Sequence, residues 1–308
     1  MSQLNNKKIL VFPGQGSQYT GMCRDLAENF TTSRFIFECG SDILGYDLKD
    51  LINNSDEQKL MNTEFAQPAI FAASLIALNA AKESGLLDGF NASAGHSLGE
   101  YAALVCCGVL DIENGFKAIK SRARIMAKAG EATPGGMTAV IGATKEQILE
   151  AIGDNAVIAN YNSPTQIVIA GTLDGLEKAE ESLNKAEIKR LKVIRLKTSA
   201  AFHTEFMKEA AKEFLEEIKD LTFNPAQADF YANVYADLMI GAIPREYLFA
   251  NMVCPVKFTQ QLDKIRQDGY NTFIEIGPGK VLSGLIKKTL EDVNIFNIED
   301  MESLNKIT

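Results

Sequence analysis

Gly95-His96-Ser97-Leu98-Gly99 fits the pattern G-x-S-x-G, in which flanking glycines let a tight turn lift a serine to the start of a helix. Free backbone N–H groups and the positive end of the helix dipole then lie where an oxyanion forms. The chemistry would be attack on a carbonyl, with a covalent serine ester as intermediate. Taken alone, the pentapeptide fits an ordinary structural turn as well. A serine hydroxyl needs a base to take its proton, and the chain has two histidines. His96 adjoins Ser97 on the same turn, where neighbouring side chains diverge, and reads as a packing or hydrogen-bonding residue. His203, in Thr198-Ser199-Ala200-Ala201-Phe202-His203, is the better base; a capping or core histidine is the alternative.

These residues need elements to carry them. Lys7-Lys8-Ile9-Leu10-Val11-Phe12 is a short apolar run stopped by Pro13-Gly14-Gln15-Gly16-Ser17, a buried strand feeding a glycine-rich loop. Small and apolar residues from Phe65 to Lys82 predict a buried helix. A strand pattern ends at Gly95, and a second small-residue helix runs on towards Gly108. From Gly135 the texture changes. Strands are expected over Met137 to Gly142, Ala156 to Tyr161, Gln166 to Gly171 and Lys192 to Lys197, with helices over Lys145 to Ile152 and Leu173 to Ala186. That alternation predicts a small ferredoxin-like α+β subdomain over residues 135–197, inserted into a large α/β hydrolase-like domain with a parallel sheet, formed by residues 1–134 and 198–308. After the insert, Thr204 to Ile218 reads as a helix, and Phe230 to Val234 and Thr272 to Ile276 as strands.

Composition narrows the classes. The 308 residues have the apolar and charged fractions of an ordinary globular protein. A net charge of −9 argues against general nucleic-acid binding, which needs clustered Lys and Arg on a basic surface. No apolar h-region opens the chain, and the run Pro68 to Ala81 falls short of the ~20 residues that span a bilayer, so neither signal nor membrane span is expected. Five cysteines, Cys23, Cys39, Cys106, Cys107 and Cys254, show no metal-type spacing and make a poor disulfide framework, which favours a cytoplasmic location.

Six segments in order along the chain carry a resemblance: Val11-Phe12-Pro13-Gly14-Gln15-Gly16-Ser17-Gln18, Gly95 to Glu100, Arg122-Ala123-Arg124-Ile125-Met126, Asn162-Ser163-Pro164-Thr165-Gln166, Ala201-Phe202-His203 and Glu275-Ile276-Gly277-Pro278-Gly279. Together they resemble the acyltransferases of fatty-acid and polyketide synthesis, and most closely the free-standing malonyl-CoA:acyl-carrier-protein transacylases. The resemblance implies a Ser97–His203 dyad without a carboxylate partner, and an oxyanion held by the backbone N–H groups of Gln15 and Leu98. It selects Arg122, rather than Arg124, as the clamp for a malonyl carboxylate, a role that suits a guanidinium fork. It places Asn251, four residues before Pro255 where glutamine is usual, at the histidine-orienting position; a backbone carbonyl there would survive the change. Phe202, in place of a small residue, resembles sequences that prefer malonyl to the bulkier methylmalonyl.

The partners so implied are malonyl-CoA and an acidic acyl carrier protein, with no metal or redox cofactor. Two basic stretches could receive the carrier: Lys185, Lys189, Arg190, Lys192, Arg195 and Lys197, and the helix of Lys117, Lys120, Arg124 and Lys128. A solvated charged face is the alternative for each. A polyketide-serving acyltransferase and an acyl-carrier thioester hydrolase are the rival activities, and Arg122 speaks against hydrolysis, which needs no carboxylate clamp.

Overall fold

The computed structural model describes residues 7–307 apart from Asp88 and Ser199. Met1 to Asn6, Asp88, Ser199 and Thr308, which fall within the expected domain ranges, lie outside the described residues. Among the described residues ten strands form two sheets: β1 (Lys7–Phe12), β2 (Phe90–Gly95), β3 (Gly135–Ile141), β4 (Val157–Ser163), β5 (Gln166–Thr172), β6 (Lys192–Arg195), β7 (Asp229–Ala232), β8 (Asp237–Met239), β9 (Tyr270–Ile276) and β10 (Asn294–Ile298).

The larger sheet has the order β10-β9-β1-β2-β7-β8. All its pairings are parallel except the β7–β8 hairpin at one edge. Ile9, Leu10, Val11 and Phe12 are fully buried, as expected of a central parallel strand covered on both faces. The helix Thr63–Glu83 lies against this core, capped by Asn62, whose side chain accepts the Glu64 N–H. With 21 residues it is long and apolar enough to cross a bilayer by length and composition alone. Most of it is buried instead against the helices Ile112–Ala132 and Thr32–Leu44. Asp111 caps the helix Ile112–Ala132, which carries Arg122 on its buried face.

The smaller sheet, β4-β5-β3-β6, is antiparallel throughout. With the helices Lys145–Ile152 and Leu173–Lys185 it follows the ferredoxin-like βαββαβ order, around a core of its own that includes Val140, Ile148, Ile169, Leu176 and Leu183. Strand β4 is tied by backbone to the segment just before the helix Phe258–Gln267: Tyr161 N–H donates to the Val256 carbonyl at 2.8 Å and Val256 N–H to that of Ala159 at 2.9 Å. One expected helix differs. Residues 205–207 form a 3-10 turn before the α-helix Lys208–Glu217, because the Thr204 side chain caps the Phe206 N–H. The short edge strands β8 and β10 have no counterpart in the sequence reading.

Candidate active site

Ser97 stands between β2 and the helix Gly99–Cys106 with φ of 53°, a left-handed conformation that non-glycine residues adopt only when their surroundings hold it. Both flanking glycines are sterically required. A Cβ on Gly95 would lie 2.2 Å from Glu100 N, and one on Gly99 would lie 2.0 Å from the Phe12 carbonyl oxygen. The strained turn thus depends on close backbone approach on either side of the serine.

Ser97 Oγ lies 2.7 Å from His203 Nε2, and His203 Nδ1 lies 2.9 Å from the Asn251 carbonyl oxygen. That carbonyl accepts from Nδ1–H, which leaves Nε2 as the acceptor for the serine proton. No carboxylate touches the imidazole among the described residues. The contact comes from the Asn251 main chain, so it does not depend on the length of the side chain there. Burial first, then the charge of Arg122 and then His96, push His203 down to about 3, so it is a neutral base at physiological pH.

Arg122 is 1% exposed. It donates through Nη1 to Gln67 Oε1 at 2.7 Å and through Nη2 to Ser97 Oγ at 3.1 Å and Asn251 Oδ1 at 3.3 Å, and its guanidinium carbon sits 5.4 Å from the centre of the Tyr101 ring. Its Nε has no partner among the described residues. A buried, unpaired donor is costly, and a carboxylate placed beside it would supply the acceptor it lacks. Arg124, in contrast, points outward to Glu213 and Glu217.

A cavity of about 250 Å³ opens over these groups. Gln15, Ser97, Leu98, Arg122, Phe202 and His203 line it from the large sheet's side, and Met137, Asn160, Asn162, Val168 and Leu196 from the small one. The backbone N–H groups of Gln15 and Leu98 have no acceptor among the described residues. The Ser97 N–H is already taken by Asn233 Oδ1 at 2.7 Å, which leaves the Leu98 N–H as the donor next to the nucleophile. His96 turns away from the dyad: its Nε2 meets Asn162 Oδ1 at 2.7 Å, and its ring sits edge-on to Phe258.

With this geometry in view, the comparison with known proteins is decisive: the acyl transferase domain family matches residues 9–307. The chain belongs to that family. It is 37% identical over 306 residues to the malonyl CoA-acyl carrier protein transacylase of Bacillus subtilis, covering 97% of this chain and 95% of that protein. An acyl carrier protein S-malonyltransferase from Vibrio cholerae superposes with a TM-score of 0.91 at 36% identity, covering 98% of this chain and 100% of the other. A malonyl-transacylase solved in complex with a type II polyketide-synthase acyl-carrier protein gives 0.90 at 34% identity, with 98% of each chain covered.

Several residues that shape this acyl transferase site escaped the sequence reading. Gln67 fixes Arg122, Asn233 fixes the Ser97 backbone, and Glu100 lies fully buried behind Asn233 and Asn251. Glu100 alone left a signal, since it closes the Gly95 to Glu100 segment. The basic stretches also separate. Lys117, Arg124 and Lys128 are offset by Glu113, Glu217 and Glu213, whereas Lys189 and Arg190 are exposed with no ion pair among the described residues. Two members of the first stretch, Lys185 and Arg195, are paired with Glu181 and Glu180.

Proposed function

We propose that this acyltransferase moves a malonyl group from malonyl-CoA to the phosphopantetheine thiol of an acyl carrier protein, through an ester on Ser97. The observation that carries the reading is the buried Arg122 guanidinium within 3.1 Å of the nucleophilic oxygen. His203 takes the Ser97 proton as the oxygen attacks the thioester carbonyl, and the N–H groups of Gln15 and Leu98 receive the oxyanion. The C–S bond breaks, and the protonated His203 returns its proton to the departing CoA thiolate. The carrier thiol then attacks the malonyl ester with His203 again as base, and Ser97 recovers its proton. No electron changes hands, so the exchange calls for no redox cofactor.

Arg122 also tunes the base. Its charge disfavours the imidazolium, and a malonyl carboxylate seated on it cancels that field, so His203 becomes a stronger base when the acidic substrate is bound. Phe202 narrows the cavity beside the dyad, which supports a preference for malonyl over methylmalonyl of about 1–3 kcal/mol per methylene.

The carrier is assigned to the face of Lys189 and Arg190, next to the strand that leads to Lys197 at the cavity. Free cysteines and dependence on CoA thioesters support a cytoplasmic setting. Fatty-acid synthesis is the assigned pathway. The similarity to a transacylase solved with a polyketide carrier favours polyketide supply as the second reading, and a panel of carriers separates the two.

Intact-mass measurement after mixing with malonyl-CoA or acetyl-CoA tests the reaction. A malonyl adduct is expected on the native protein and none on Ser97→Ala. An adduct that survives the substitution, or an acetyl adduct in preference to malonyl, contradicts it.

A further inference from the structure

The dyad has no acid of its own, yet a carboxylate lies one residue behind each of its members. Glu100 is fully buried, and every hydrogen bond to it comes from a donor. Oε1 accepts from Asn233 N–H at 2.7 Å, Oε2 accepts from Asn251 Nδ2 at 2.6 Å, and the Tyr247 hydroxyl lies 2.7 Å from both oxygens. Both amide residues carry the contact onward. Asn233 Oδ1 accepts the Ser97 N–H and its Nδ2 donates to the Gly95 carbonyl, which fixes the left-handed turn at the nucleophile. The Asn251 carbonyl accepts from His203, and its Oδ1 accepts from Arg122.

We infer that Glu100 is a positioning residue that holds Ser97 and His203 in register, acting on the nucleophile through Asn233 and on the base through Asn251. Only a carboxylate suits the place. Three donors, Asn233 from the segment after β7 and Tyr247 and Asn251 from the helix Glu246–Val253, converge on two oxygens, and an amide would turn its own N–H₂ against one of them. The hydrogen bond to Glu100 Oε2 also fixes which way the Asn251 side chain faces, with Nδ2 towards Glu100 and Oδ1 towards the guanidinium. Glu100 does not line the cavity, so its influence falls on the chemical step rather than on substrate contact.

The inference rests on the proposed acylation of Ser97, and its test separates the two. In Glu100→Gln the maximal single-turnover rate of malonyl-Ser97 formation is expected to fall roughly 10- to 100-fold, the scale of a misplaced catalytic group, with KM for malonyl-CoA within about twofold. The NMR resonance of the His203 Nδ1 proton, read without substrate, is expected to shift or broaden as its bond to the Asn251 carbonyl loosens. Tyr247→Phe keeps the shape, removes one donor from the carboxylate, and is expected to lower the same rate about twofold to fivefold, so the inference stays testable where Glu100→Gln folds poorly. A folded variant that acylates within twofold of native with an unmoved resonance overturns it. So does a rate loss that only tracks the folded fraction in melting. A native protein that forms no ester refutes the proposed function instead, and the resonance still decides the role of Glu100.

Discussion

The large and the small sheet face one cavity, but they hold their side chains differently. On the large side each functional group is buried and held from two directions: His203 between Ser97 and Asn251, Arg122 between Gln67 and Asn251. On the small side the contribution is a wall of Met137, Asn160, Asn162, Val168 and Leu196, and an outer surface where Lys189 and Arg190 stand unpaired among the described residues. Bond-making needs atoms held to a fraction of an ångström, whereas encounter with a carrier needs only charge in roughly the right place. With the carrier docked as proposed, the two demands fall to different layers of the molecule.

Arg122→Ala tests that separation most severely, because it removes a large-side group that touches Ser97 and is proposed to hold the malonyl carboxylate. The ratio of malonyl to acetyl adduct is expected to drop about 100-fold or more, the scale of losing a buried, hydrogen-bonded charge partner. A ratio is unaffected by the fraction of folded protein. If malonyl selectivity persists, it resides in the wall, and the division between the layers fails.

Much of this division was legible in the residues. Ser97 announces itself because only glycine at 95 and 99 allows the turn, and His203 because the chain offers just one other histidine. The hidden parts are those that exist only through the fold. Asn233 meets Ser97 across 136 residues and Gln67 meets Arg122 across 55, and neither sits in a local pattern that marks it. Strands β8 and β10 were illegible for a related reason. They are short, lie on the edges and are only partly buried, so apolar periodicity hardly marks them.

A smaller effect belongs to the outer layer. Reversing charge in Lys189→Glu with Arg190→Glu is expected to raise KM for the carrier about threefold to tenfold at low salt, leaving the rate of Ser97 acylation by malonyl-CoA unchanged. At high salt the variant and the native protein should converge, since exposed charges are screened. An unaltered KM at low salt moves the carrier to another face. A slower acylation would show that the two layers are coupled, and the backbone link between Tyr161 and Val256 would be its route.

The smallest expected effect is on stability, and it asks how dry the large-side site is. Burial and Arg122 hold His203 at about 3, below the ~6.5 of an unfolded histidine, so between those values the unfolded chain binds a proton that the native chain does not. Its contribution to stability is therefore intact above pH 6.5 and is lost as pH falls towards 3. Glu100 works the other way. Burial raises it to about 7 from an ordinary 4.5, so the native state holds the extra proton and loses stability as pH rises through that interval. The two trends oppose each other in the native protein, and melting curves of the native protein alone would hide both. His203→Asn removes one of them: the melting temperature of the variant minus that of the native protein is expected to become more positive by a few degrees between pH 7 and pH 4. A difference that stays constant with pH would mean that His203 titrates as in water, and the large side of the cavity would then be as wet as the small side's outer face.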